Sequence, residues 1–292
     1  MLVYKKWHMR KRYPLGEYLN NIWQASLDLL FPPPALCTVC GRKLTLGAQL
    51  KLCPWCLEQL PLVGTSLCQQ CGRPVAGGHG NTLEDCSANL QTAAARQPKA
   101  LALDEQGPGL CFDCRHVKHF FVRNRAVGIY SGALKEQIQE MKYRYNRQLG
   151  IALGQVMALM AKGRGWIPRE AHLLAVPLHP QRLQQRGYNQ AELLIQGMES
   201  LLPAPVLEPG TVVRRQATEA SRSLNPGQRR ANLRGAFYVP RPGRVADKVL
   251  CIVDDIYTTG ATLDELARTL LQAGARAVYG LTLSIAVDDY DL

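Results

Sequence analysis

One stretch constrains this chain more than any other. Val249-Leu250-Cys251-Ile252-Val253 is followed directly by Asp254-Asp255-Ile256-Tyr257-Thr258-Thr259-Gly260-Ala261-Thr262. Five consecutive apolar residues, three of them β-branched and bounded by charge, predict a strand buried on both faces of a parallel sheet. Two carboxylates then fall at the strand's carboxyl end, where open α/β sheets bind ligands. The small hydroxyl and glycine residues after them offer backbone amides that can wrap an anion. Thr262 and Glu265 have the form of a capping box, and Leu263, Leu266, Ala267, Leu270 and Leu271 recur at helical spacing up to Gly274. Cys251, inside the apolar run, reads as core filler.

Physically this is a phosphate cradle at a helix N-terminus, with carboxylates one step upstream to grip hydroxyls or a metal. It is not a nucleotide loop of the other common kinds: no Lys-Ser/Thr follows the glycine, and GxGxxG is absent.

The cysteines impose the second constraint. Eight of the ten form four Cys-x-x-Cys pairs, at 37/40, 53/56, 68/71 and 111/114. The N-terminus is basic but continues into no apolar signal core, so the expected compartment is a reducing cytoplasm rather than one that builds disulfides. Four such pairs in a loop-rich segment predict two tetrahedral zinc sites of four cysteines each, closed and therefore structural. Cys37/Cys40 with Cys53/Cys56, across a twelve-residue spacer, has the form of a zinc ribbon. Cys68/Cys71 with Cys111/Cys114 is the expected second site. Because 39 residues separate Cys71 from Cys111, a Cys68/Cys71/His79/Cys86 shell and a cross-braced pairing of 37/40 with 68/71 stay open. The insert at about 76–108, rich in Gly, Gln and Ala, reads as a mobile loop.

Charge is unevenly distributed. Of the formal net charge of +12, residues 1–12 carry five basic groups and no acid, and 214–248 carry nine against Glu219 and Asp247. A local basic stripe suits a polyanion, whether pyrophosphate or nucleic acid. Residues 15–31 fit an amphipathic helix stopped by Pro32-Pro33-Pro34, and no apolar run of about 18 residues is present to span a membrane.

Beyond Cys114 strands and helices alternate: a strand at 126–130, helices at 132–143 and about 148–161, and a short buried strand at 173–176. The segment Pro177 to Gln190 reads as a loop carrying Arg182 and Arg186, running into a helix capped by Asn189 with Glu192. It is a second candidate anion site. An extended segment at 204–213, a polar arm at 214–224, a short helix after Asn225-Pro226 and a last strand at 277–286 complete a parallel α/β domain. The expected organisation is a tail and helix (1–35), a double zinc-ribbon domain (36–118) and the α/β domain (119–292).

The strand, paired acids and Thr-Thr-Gly-x-Thr loop resemble the phosphoribosyl pyrophosphate (PRPP) motif of type I phosphoribosyltransferases. Further motifs narrow the resemblance to the ComF family, including GntX-type proteins. They are Leu-Leu-Phe-Pro before Cys37, the Cys-x-x-Cys knuckles, Met141-Lys142-Tyr143, Val176-Pro177-Leu178, Arg186-Gly187-Tyr188-Asn189-Gln190, and Arg229-Arg230-Ala231-Asn232 with Gly235-Ala236-Phe237. The resemblance covers almost the whole chain, except that Thr218-Glu219-Ala220-Ser221 stands where the family has Thr-x-x-Gln.

It implies a type I phosphoribosyltransferase-like parallel sheet, with helices on both faces, after a small zinc-ribbon domain. Asp254 and Asp255 are then the catalytic pair, holding the ribose hydroxyls and Mg2+. Thr258, Thr259, Gly260, Ala261 and Thr262 hold the 5′-phosphate, and Arg182 and Arg186 face pyrophosphate. It further implies a part in DNA uptake or the use of external DNA. The partners would be PRPP or a related ligand, and single-stranded DNA or DNA-uptake proteins.

Overall fold

The structure is a computed structural model that describes residues 35–45, 47–75, 109–216 and 226–287. The basic tail, the helix expected at 15–31, the insert with His79 and Cys86, and the arm at 217–225 lie outside the described residues.

In chain order the helices are α1 Pro54–Glu58, α2 Phe112–His116, α3 Gly132–Tyr143, α4 Arg147–Gly163, α5 Pro180–Arg186, α6 Gln190–Glu199, α7 Pro226–Leu233 and α8 Ala261–Gln272. The strands are β1 Asn124–Ile129, β2 His172–Ala175, β3 Val213–Arg214, β4 Phe237–Tyr238, β5 Val249–Tyr257 and β6 Ala277–Ile285. Four of them form one wholly parallel sheet in the order β1-β6-β5-β2, and β3 and β4 pair as a small antiparallel ribbon. The α/β reading holds. The segment at 204–213 touches the sheet through one parallel bridge, Leu173 to Val206, before β3 begins.

β5 is central, so its apolar run is buried on both faces: Leu250, Cys251, Ile252 and Val253 are 0–1% exposed. Helices α4 and α6 pack on each other and against the sheet, while α8 packs on β6 and on α7. Gly154 and Gly197 allow the α4–α6 crossing, because a Cβ on either would collide with a carbonyl of the facing helix, at Leu194 or Ile151. Helix α8 ends as expected. Gly274 at φ +94° follows the last turn, with Gly274 N–H donating to Leu271 O and Ala275 N–H to Leu270 O, the two bonds of a Schellman stop.

Three local expectations are corrected. The strand does not stop before the acids. It runs to Tyr257, because β6 continues alongside and pairs with Asp254, Ile256 and Tyr257. Helix α8 is capped by Gly260 at φ +75°, with no side-chain cap, and Thr262 lies inside it. Glu265 cannot serve a capping box because it is drawn into the interior. Its carboxylate accepts the Gly235 N–H at 2.7 Å and pairs with Arg268 at 2.6 Å. Finally, Pro177 to Gln190 is not one loop: it contains α5, ended by Gly187 at φ +69°. Asn189 does cap α6, accepting the Ala191 N–H at 3.1 Å, while its amide donates to Val176 O at 3.0 Å.

The cysteine-rich unit is joined to this sheet rather than strung beside it. Residues 61–63 run along the free edge of β1, with Val63 N–H donating to Val127 O at 3.0 Å and Ile129 N–H to Pro61 O at 2.7 Å.

Candidate functional site

The eight cysteines resolve into two groups, Cys37/Cys40/Cys53/Cys56 and Cys68/Cys71/Cys111/Cys114. In each, all four sulfurs lie within 4.8 Å of one another. Zinc–sulfur bonds of about 2.3 Å in a tetrahedron put sulfurs about 3.8 Å apart. The separations of 3.6 Å for Cys40–Cys53 and Cys71–Cys111 fit that shell. The cross-braced pairing is therefore excluded, and among the described residues Cys111 and Cys114 complete the second group.

The electrostatics also fit a cation. Burial pushes the Cys37 thiol up, but amide hydrogen bonds from Cys40, Cys53 and Val39 outweigh it and bring it to about 6. Cys56 is driven well up by burial and by the thiols beside it. In the second cluster the hydrogen bonds of Cys111 and Cys114 lower Cys68 and raise Cys71 in the same opposed way. Four thiols so close cannot all ionise alone, and a dication relieves the conflict.

The two clusters repeat one local structure. Cys-Gly-Arg occurs at 40–42 and at 71–73. In the first copy Cys37 N–H donates to Arg42 O and Gly41 N–H to Cys37 O; in the second Cys68 N–H donates to Arg73 O and Gly72 N–H to Cys68 O. Cys53 and Cys111 then cap the short helices α1 and α2, each donating its N–H to a cluster sulfur at 3.3 Å. That repeat was readable in the sequence and escapes a search by cysteine spacing alone.

At the carboxyl end of the sheet, β5 carries Asp254 and Asp255 into the turn before α8. Asp255 Oδ2 accepts Lys142 Nζ at 2.8 Å, with both side chains largely buried. Asp254 Oδ1 accepts the Asp255 N–H at 2.8 Å. Burial, and then the charge of Asp255 beside it, raises the Asp254 carboxyl to about 7. A carboxylate pair held so is ready for hydroxyl donors or a cation, which is the donor set that Mg2+ accepts.

Thr258 is exposed and Thr259 half-buried, while Gly260 and Ala261 are buried at the start of α8. A Cβ on Gly260 would strike the Tyr257 ring, so only glycine closes this turn.

β2 lies beside β5, and Val176 N–H donates to Val253 O at 3.0 Å, so the chain toward α5 leaves the sheet next to the acids. Arg182 and Arg186 ride on α5; Arg186 bonds Gln190 Oε1 at 3.1 Å and lies 5.7 Å from the Tyr143 ring centre. Arg214 on β3 is buried. Its charge is disfavoured by that burial and by Arg182, and supported by Asp254. Arg214 thus stands within reach of the charges of both Arg182 and Asp254, and Lys142 pairs with Asp255. In the sequence Lys142 stands within the Met141-Lys142-Tyr143 motif and Arg214 at the start of the polar arm. Their burial comes from packing, which no local spacing announces. A separate cavity of about 180 Å³, at the outer edge of β2 and lined by Leu174, Pro177, Glu192, Val206 and Glu208 among others, includes neither Asp254 and Asp255 nor any residue of 258–262.

The chain is similar to several known proteins. The double zinc ribbon domain family matches residues 26–88. The DNA utilization protein YhgH of Salmonella typhi is 29% identical over 216 residues, 73% of this chain and 93% of the relative. The competence protein F of Haemophilus influenzae is 26% identical over 234 residues, 77% of this chain and 93% of the relative. The competence protein ComFC of Streptococcus pneumoniae is 29% identical over 164 residues, 56% and 68% of the two chains. Among solved structures, the allosteric regulatory enzyme of purine biosynthesis aligns over 46% of this chain and 26% of its own, with a TM-score of 0.31 and 16% identity. The hypoxanthine phosphoribosyltransferase of Trypanosoma cruzi aligns over 47% and 65%, with a TM-score of 0.26 and 14% identity. Among the described residues no helix is long and apolar enough to cross a membrane.

Proposed function

We propose that the chain is a ComF-type protein, a double zinc ribbon ahead of a phosphoribosyltransferase-like sheet, and that it binds PRPP or a nucleotide at the turn between β5 and α8. The observation that carries this reading is the acidic pair leading into a glycine-capped helix start, beside a second, arginine-bearing segment. Asp254 and Asp255 hold the ribose hydroxyls. The amides and hydroxyls of Thr258, Thr259, Gly260, Ala261 and Thr262 take the 5′-phosphate, where the helix dipole favours negative charge. Arg182 and Arg186 face the pyrophosphate.

When bound at the carboxylates, Mg2+ supplies charge neutralisation of pyrophosphate and ribose oxygens. In the transfer reaction the bond from the anomeric carbon to pyrophosphate breaks and a bond to a nitrogenous acceptor forms. The protein contributes by positioning and by charge, since positive charge develops on the ribose and negative charge on the leaving group. Lys142 must leave Asp255 or share it when the ribose arrives. The reading includes a cytoplasmic role in the use of external DNA; the relatives are named for DNA utilization and competence.

Binding is tested by PRPP-induced thermal stabilisation in Mg2+, and turnover by pyrophosphate release across a panel of nucleobases. Stabilisation without turnover would leave a sensor rather than a transferase.

A second reading, single-stranded DNA binding, is favoured by one surface. Tyr143 and Tyr145 are exposed; Arg186 lies over the Tyr143 ring, and Tyr145 meets edge-on the buried Tyr188, over which Arg147 sits, a surface suited to base stacking. Tyr143→Ala with Tyr145→Ala should then weaken oligothymidylate binding at low salt. A wild-type protein with no such affinity rules the second reading out.

A further inference from the structure

The two knuckle arginines meet different fates. Arg42 lies over the exposed Trp55 ring, 5.0 Å from its centre. Arg73 is 5% exposed and spans two parts of the chain: Nη1 donates to Asp113 Oδ2 at 2.9 Å, and Nη2 donates to the Thr258 carbonyl at 3.2 Å. Thr258 is the first residue of the phosphate loop.

A second strut runs to the other end of that loop. Asp264, in the first turn of α8, accepts the Phe120 N–H at 2.6 Å and lies 3.5 Å from His119 Nδ1. The other ring nitrogen of His119 is 3.6 Å from Cys114 Sγ. Phe121 stacks on His119 and meets Tyr257 edge-on, and Tyr257 is the ring that underlies Gly260. Both ends of the loop, and its floor, are thus tied to the second cysteine cluster.

We propose that Arg73 is a positioning residue for the phosphate loop, and that with His119 it makes the second zinc knuckle a brace on that loop. The first knuckle, with the same backbone turn, has no such part. A hydrogen bond from a buried guanidinium fixes the Thr258 peptide plane and so the aim of the amides that follow it. The zinc shell fixes where Arg73 and His119 start from, and so couples metal occupancy of the second cluster to the shape of the ligand loop. The ligand half of this inference rests on the PRPP reading; the brace itself does not.

The test compares Arg73→Met, Arg73→Lys and Arg42→Met in the full chain with zinc bound. Three quantities are read: zinc per chain, hydrogen exchange at the amides of 258–264 without ligand, and PRPP affinity in Mg2+. Arg73→Met should keep both zinc ions, speed exchange in 258–264 about tenfold and weaken PRPP about tenfold. Arg73→Lys should recover part of each loss, and Arg42→Met should stay within about twofold of wild type in all three. Should Arg73→Met lose zinc, Asp264→Ala, which removes the acceptor of the Phe120 N–H, probes the other strut from outside the cluster, with the same rise in exchange expected. Wild-type exchange in a zinc-replete Arg73→Met protein overturns the brace, as does an equal rise in Arg42→Met. A wild-type protein that ignores PRPP overturns the PRPP reading instead, and the exchange data still decide the brace.

Discussion

The two zinc knuckles share a sequence, a backbone turn and a hydrogen-bond pattern, yet they sit in different surroundings. The first keeps Cys40 exposed and reaches the α/β unit through Lys51, whose N–H donates to Gln155 Oε1 at 2.9 Å and whose Nζ reaches Gln148 at 3.0 Å. The second has all four cysteines buried and packs where β1, β5 and α8 meet. One repeated unit therefore stands near the surface in one copy and is packed against the turn between β5 and α8 in the other. A closed four-cysteine site does no chemistry of its own, so what distinguishes the copies is what they touch.

The largest expected effect comes from taking the metals away. A chelator should remove zinc in two stages, the first from the cluster with exposed Cys40, the second from the buried one. Only the second stage should release the amides of 258–264 and abolish PRPP binding, read by exchange and calorimetry as zinc is released. Structural zinc contributes on the order of 10 kcal/mol to such units, so the second stage should also unfold the knuckle. Loss of PRPP binding in the first stage breaks the comparison.

Next in size, Asp254→Asn with Asp255→Asn should erase PRPP-induced stabilisation, about 2.7 kcal/mol at a hundredfold excess of ligand over Kd, while zinc content stays at the wild-type value. That separates the ligand site from its brace, and unchanged stabilisation would remove the acids from the site.

The glycines sharpen the contrast further. Gly41 and Gly72 both have positive φ, but a Cβ on Gly41 meets nothing within 4 Å, whereas one on Gly72 comes to 2.8 Å from Asn124 O. Gly41→Ala should cost about 1 kcal/mol from backbone strain alone, and Gly72→Ala about 1–3 kcal/mol more, in denaturant titrations. Equal costs would mean that the second knuckle is not held against β1.

A further effect is one of pH. Asp254, raised to about 7, keeps a proton in the folded chain that the unfolded chain has already released above its own lower pKa. Without divalent cations, stability should therefore fall as pH rises from about 4 through 7, and Asp254→Asn should flatten that slope, as thermal melts across pH can read. Neither knuckle should alter it.

Much of this was legible in the residues. The apolar run of β5, the Thr-Thr-Gly turn, the Asn189 cap and the Gly274 stop each depend on neighbours a few positions away, and each formed as read. The capping box at Thr262 and Glu265 failed for the opposite reason. Its pattern is local, but Glu265 found a buried partner in the Gly235 N–H, 30 residues back in the chain, and the positive φ of Gly260 had already started the helix. The acids were expected after the strand and lie within it, because strand length is set by the neighbour β6 and not by hydrophobicity.

What the sequence determined by itself is therefore the repertoire: two pairs of cysteine turns able to hold zinc, an acid-rich strand end, and a glycine turn into a helix. These follow from backbone geometry and side-chain chemistry over short spans. Tertiary structure alone decided which cysteine turns cluster together, that Lys142 meets Asp255, and that Arg73 rather than Arg42 reaches the turn after β5. The Arg73–Thr258 contact joins residues 185 positions apart. No local rule acts over that span, and only the packing of the second knuckle against the sheet brings the two together.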